Sequence, residues 1–108
     1  MKRGDIVTVA IAGDYGKPRP ALVIQNDHLA ETDSVLVCLL TTSVRDAPLH
    51  RLSLPADEAT GLRAPSQLMV DKIFAVRRER CGAPIGRAPP DAMRGLGPLL
   101  AFVTGVAE

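Results

Sequence analysis

Arg19 stands between Pro18 and Pro20, at the end of a glycine-bearing loop that leads into the apolar run Ala21–Gln25. A proline on each side restricts the backbone, so less entropy is lost when the side chain is held against a ligand. Its guanidinium is a planar fork of donors that suits phosphate or carboxylate. The next apolar run, Val35–Leu40, ends in three hydroxyls, Thr41, Thr42 and Ser43. Hydroxyls at a strand end commonly satisfy nearby backbone groups. Beside a fixed arginine they can also donate to a phosphoryl oxygen. Asp71 interrupts the apolar stretch LMVDKIFAV, with Lys72 after it. A carboxylate there marks an exposed bend, pairs with Arg19, or orients a substrate. Lys17 adds a cation beside Arg19, and Asp14 a carboxylate. Tyr15, the single tyrosine, is flanked by loop residues and is placed to stack on a splayed base.

Other chemistries find little support. His28 and His50 belong to no Ser/His/Asp ordering and no zinc spacing, and no phosphate-cradling Walker loop is present. Cys38 and Cys81 have neither metal spacing nor a disulfide framework. No cofactor is expected, and any reaction at phosphorus would run without a metal cluster or a histidine pair.

The elements that must position these groups are short. A chain of 108 residues with 46% hydrophobic content makes one globular domain, residues 1–108. Aromatics are scarce, so Val, Leu, Ile and Ala build the core. Net charge is +1. Between Lys72 and Arg87, however, Lys72, Arg77, Arg78, Arg80 and Arg87 face only Glu79, which reads as a phosphate-facing patch or a solvated turn. The N-terminus has no apolar signal core and no run reaches membrane-spanning length, so the cytoplasm is the expected location.

Asp5–Ile11 alternates with period two and reads as a strand. Ala12–Pro18 is loop and Ala21–Gln25 a second strand. Asn26–Asp33 is a polar connector with one helical turn. Val35–Leu40 is apolar throughout and predicts a central strand buried on both faces. His50–Leu54 turns Leu52 and Leu54 inward. Pro55–Pro65 is a long connection, Gln67–Val70 and Ile73–Val76 are two further strands, and Arg77–Cys81 is a turn. From Pro90 the spacing of Met93, Leu96, Leu99, Leu100 and Val103 predicts a helix, bent or split near Gly97 because Pro98 lies inside it. The fold class is mainly β with a C-terminal helix, a small curved antiparallel sheet or barrel.

Five blocks together resemble the MazF/PemK family of toxin endoribonucleases: RGDIV at Arg3–Val7, KPRPALVI at Lys17–Ile24, LLTTS at Leu39–Ser43, VDKI at Val70–Ile73 and RCGAPIGR at Arg80–Arg87. Their order and spacing cover nearly the whole chain. The resemblance implies an SH3-like barrel and a homodimer. It implies metal-independent cleavage of single-stranded RNA, the 2′-hydroxyl attacking to leave a 2′,3′-cyclic phosphate. It also implies an acidic antitoxin lying across the RNA groove. Carried over by residue, the catalytic arginine falls on Arg19, the threonine on Thr41 (Thr42 if the register slips by one) and the aspartate on Asp71. Asp14, Tyr15, Lys17, Thr42, Ser43 and Lys72 are expected to contact substrate.

The chain departs from the family in three places. Its first loop reads Gly13-Asp14-Tyr15-Gly16, Met69 stands where some members have arginine, and Lys72 replaces a usual glutamine. Two other readings stay open: a non-nuclease toxin that binds DNA gyrase as CcdB relatives do, and a barrel that binds RNA without cutting it.

Overall fold

The computed structural model describes residues 1–11 and 17–107. Among the described residues six strands and one α-helix follow in chain order: β1 (Asp5–Ala10), β2 (Pro18–Val23), β3 (Ser34–Thr41), β4 (Arg51–Leu54), β5 (Ser66–Arg77), β6 (Gly86–Arg87) and α1 (Pro90–Val103), with short 3-10 turns at Asp27–Leu29 and Arg78–Arg80. They form one antiparallel sheet in the order β4-β5-β3-β2-β1-β6.

Alternation along the strands sends apolar side chains to two clusters. Ile6, Leu22, Cys38, Leu40, Leu68 and Val70 gather on the face covered by α1, with Ala92 and Leu96 of the helix buried among them. Val7, Val9, Ala21, Val23, Val35, Val37 and Val76 pack on the other face. β3 supplies both clusters, as expected of a central strand, although Leu36 near its start is exposed. Full burial of a side chain such as Leu96 contributes about 1.5–3 kcal/mol.

The edge strands close on each other through a loop. Residues after β4 run against β6, where the Arg87 N–H donates to the Ala59 carbonyl at 2.8 Å. Thr60 is fully buried and holds this loop by accepting from the Asp57 and Leu62 N–H groups and donating to the Pro55 carbonyl. The sheet is therefore a barrel whose seam is partly made of loop backbone.

The structure corrects several boundaries. β2 starts at Pro18 and not at Ala21, so Arg19 lies within the strand. Prolines are tolerated there because their missing N–H groups, two residues apart, point to the same edge. β3 pairs with β2 only from Ala21 onward, which leaves that stretch of the edge without a ladder. The two strands expected at Gln67–Val70 and Ile73–Val76 are one long strand, β5. The register against β3 jumps between Cys38–Ile73 and Leu40–Leu68, so a bulge at Asp71–Lys72 absorbs the polar interruption. α1 runs unbroken through Pro98, which is exposed, so the donor it removes lies on the solvent side. The short β6 has no signature in the sequence, since two residues carry no period.

The basic segment does not form one patch. Arg78 donates to the Thr32 and Leu29 carbonyls, Arg77 pairs with Glu79, and Arg87 pairs with the buried Asp5. Arg78 and Arg87 thereby tie distant segments together, while the Arg77–Glu79 pair is local and exposed. No helix among the described residues is long and apolar enough to cross a membrane.

Cys38 is buried in β3, and burial first, then the nearby Asp71 carboxylate, push its thiol up to about 12. Cys81 is half-buried; its thiol is raised by burial, against an opposing pull from Arg78. At pH 8 iodoacetamide should modify Cys81 in the native protein and reach Cys38 only after denaturation, as read by peptide mass spectrometry. Equal labelling of both thiols in the native state would contradict this packing. The sign for stability also follows. Below pH 9 both native and unfolded chains keep the Cys38 proton. Between pH 9 and about 12 only the native chain keeps it, so stability falls as pH rises through that window.

Candidate active site

The register of the sheet places Arg19 and Thr41 on one face. Arg19 pairs with Val9, whose side chain belongs to the cluster opposite α1, and it alternates with Ala21 of the same cluster. Thr41 alternates with Leu39, which packs against that cluster too. β2 and β3 pair as Ala21–Leu39, Leu22–Cys38 and Val23–Val37. That ladder stops at Ala21–Leu39, two residues short of Arg19 and Thr41, which share this face by alternation along their own strands. Both residues lie at the end of the strands, Arg19 exposed and Thr41 half-buried.

Thr41 combines a local role with a hydroxyl proton that has no acceptor among the described residues. Its Oγ1 accepts from the Ser43 N–H at 3.1 Å, which turns the chain after β3. A hydroxyl that accepts in this way still has its own O–H to donate. Ser43 in turn accepts at its carbonyl from Arg51 at 3.0 Å. The sequence left open whether Thr41 or Thr42 falls on the family's threonine; alternation puts Thr41 on the arginine's face. Thr42 and Ser43 are exposed, as is Lys17 just before β2.

Thr42 instead lines a cleft of about 590 Å³ with Pro18, Pro20, Thr8, Arg63 and Ile85. Pro18 and Pro20 alternate with Arg19, so they turn to the cleft while the arginine turns to the other face. The strand ends thus present a polar rim with Arg19 and Thr41 on one side and a roomy, mostly apolar cleft on the other.

Asp71 sits at the β5 bulge, with Oδ1 3.6 Å from His50 Nδ1 and Oδ2 3.7 Å from Lys72 Nζ. Neighbours on a regular strand point to opposite faces, but the bulge breaks that alternation and lets Lys72 reach Asp71. His50 is brought to the carboxylate by its place just before β4, where its carbonyl accepts from the Val70 N–H at 3.0 Å. Its Nδ1 is buried with no hydrogen-bond partner among the described residues. No sequence spacing links His50 with Asp71; only the pairing of β4 with β5 does. Asp14 and Tyr15 lie outside the described residues. Among the described residues no group of three or more His, Cys, Asp or Glu converges on a metal-sized site.

The model of the PemK-like, MazF-like toxins of type II toxin-antitoxin systems matches residues 2–102. A probable endoribonuclease MazF of Mycolicibacterium smegmatis is 47% identical over 109 residues, covering 99% of each chain. A solved endoribonuclease in complex with its cognate antitoxin, from a mycobacterial species, superposes with a TM-score of 0.82 at 21% identity, covering 100% of this chain and 98% of its own. A MazE–MazF crystal structure from Deinococcus radiodurans gives 0.77 at 22% identity, covering 97% and 95%. The two structures speak for the barrel, and the family model with the close relative speaks for descent. The chain belongs to the PemK-like, MazF-like toxins of type II toxin-antitoxin systems.

Proposed function

We propose that this toxin is an endoribonuclease that cuts single-stranded RNA by attack of a ribose 2′-hydroxyl on the adjacent phosphate. The O2′–P bond forms and the P–O5′ bond breaks; one proton leaves the 2′-hydroxyl and one is gained at O5′, giving a 2′,3′-cyclic phosphate and a 5′-hydroxyl. The observation that carries this reading is the shared face of Arg19 and Thr41. Attack builds negative charge on the phosphoryl oxygens, and a preorganised guanidinium and hydroxyl stabilise charge as it develops. Arginine stays protonated and makes a poor base. We therefore assign proton removal to a carboxylate, Asp71, with His50 and Lys72 beside it. Lys17, Thr42, Ser43 and Lys72 contact the strand around the cut; Asp14 and Tyr15 take the same role from the first loop.

The partners follow from the same surface. An extended acidic antitoxin segment competes for the cations that hold RNA. That a mycobacterial relative was solved with its cognate antitoxin supports this reading. Exposed Leu36, Ile73 and Phe74 offer apolar area for a homodimer. The RNA substrate sets the site of action in the cytoplasm.

Purified dimeric protein incubated with single-stranded RNA in EDTA should give discrete fragments with 2′,3′-cyclic phosphate and 5′-hydroxyl ends, mapped by end sequencing. Intact RNA would favour a gyrase-binding toxin or a non-cutting RNA binder. Fragments that form only after metal is restored would reject the metal-free step.

A further inference from the structure

The face that carries Arg19 and Thr41 continues across the sheet to a second guanidinium. Thr41 pairs with Gln67 and Gln67 with Ser53, so one row crosses β3, β5 and β4 in register. Arg51, two residues before Ser53, stands on the same face opposite Met69.

Gln67 is buried, and its amide grips the neighbouring arginines. Its Oε1 accepts from the Arg45 N–H and from Arg51 Nη1, each at 3.0 Å, and its Nε2 donates to the Arg45 carbonyl at 3.0 Å. Arg51 Nη1 also reaches the Ser43 carbonyl at 3.0 Å. The Arg51 guanidinium is thereby locked beside the strand end that carries Thr41.

Its charge is left uncompensated. Among the described residues neither Arg45 nor Arg51 has a carboxylate within ion-pair distance, although Asp46 lines the same cleft of about 200 Å³ with them, Ser53 and Gln67. Arg51 Nε is buried with no hydrogen-bond partner among the described residues, while the side chain as a whole is half-buried. A guanidinium that is fixed in place, uncompensated and still partly open to solvent suits an anion.

We propose that Arg51, oriented by Gln67, binds a backbone phosphate of the RNA next to the linkage that is cut. Two strand spacings, about 10 Å, separate β3 from β4. The ligand is therefore an oligonucleotide long enough to present a second phosphate. Gln67 is a positioning residue and does not itself touch RNA. The proposal rests on the RNA-cleaving reading above, so its test reads binding separately from cleavage.

A fluorescent 2′-O-methyl RNA oligonucleotide cannot be cut, and its anisotropy reports binding alone. Arg51→Gln keeps an amide donor toward Gln67 and Ser43 while removing the charge. It should weaken binding about ten-fold at fixed salt, and lower the slope of log affinity against log salt by about 0.7, the share of one phosphate on single strands. Arg51→Lys should restore the slope but not the full affinity, because it lacks the fork. A methylphosphonate placed at each linkage in turn should weaken wild-type binding most at one position, and that penalty should vanish in Arg51→Gln. On cleavable RNA the loss should appear in KM more than in kcat. Unchanged affinity and slope in folded Arg51→Gln, or a methylphosphonate profile identical to wild type, overturns the proposal even if Arg19→Ala abolishes cleavage. An Arg51-dependent slope in a protein that cuts no RNA upholds the phosphate site and removes the cleavage reading instead.

Discussion

Arg19→Ala is expected to lower kcat/KM for RNA cleavage by about two to three orders of magnitude, the usual cost of removing one preorganised donor from a charge-stabilising site. Stability should scarcely move, because the Arg19 side chain is exposed and lies outside both apolar clusters. Arg19→Lys should recover only part of the rate. It keeps a charge near the phosphate but loses the two-pronged geometry that contacts two oxygens at once. Thr41→Ser, which keeps the hydroxyl and its contact to the Ser43 N–H, should cost far less than Thr41→Ala, which removes both. The measurement is initial cleavage rate against substrate concentration, with Tm of each variant as the control. An Arg19→Ala protein that cuts RNA at near wild-type rate would show that the shared face of Arg19 and Thr41 has no part in catalysis.

The reach of the sequence depended on whether a feature is local. Val35–Leu40 was legible as a central strand because each of its neighbours is apolar, and α1 because a stripe at helical spacing is a property of consecutive residues. Arg19 and Thr41 could be named one at a time: an arginine between prolines and hydroxyls at a strand end are local signals. Their shared face is not local. It follows from the pairing register of β2 with β3, which no spacing in the chain discloses. The same limit hid the His50–Asp71 contact and the hold of Gln67 on Arg51, each made across β4 and β5. Asp71–Lys72 looked like a boundary between strands because charge interrupts the apolar run; a bulge lets one strand carry it. Of the blocks that resemble the family, the first and last prove to be structural: Asp5 of RGDIV pairs with Arg87 of RCGAPIGR, tying β1 to β6.

The seam of the barrel carries the largest expected effect on stability. Gly61 has φ +68°, and a Cβ there would lie 2.1 Å from the Ile85 carbonyl oxygen. A Cβ on Gly86 would lie 2.2 Å from the Thr60 carbonyl carbon and oxygen. Both obstacles are backbone, so no side chain can swing aside. The loop after β4 must move off β6, breaking the Arg87-to-Ala59 hydrogen bond and exposing Thr60. Either glycine changed to alanine should cost about 3 kcal/mol or more, with Gly61→Ala adding the strain of a left-handed residue. At roughly 4–8 °C per kcal/mol for a domain near this size, Tm should fall by about 15 °C or more. Gly97→Ala is the matched control. It lies within α1 with nothing within 4 Å of the added methyl, and should raise stability by about 0.5–1 kcal/mol. The same change of residue thus has opposite signs at the seam and on the helix. Because Gly61 and Ile85 also line the cleft beside Pro18, Pro20 and Thr42, the surviving folded fraction of Gly61→Ala should bind RNA more weakly than its Tm alone implies. A Gly61→Ala protein with wild-type Tm would mean that the loop is not seated on β6, and that the cleft walls are not fixed by it.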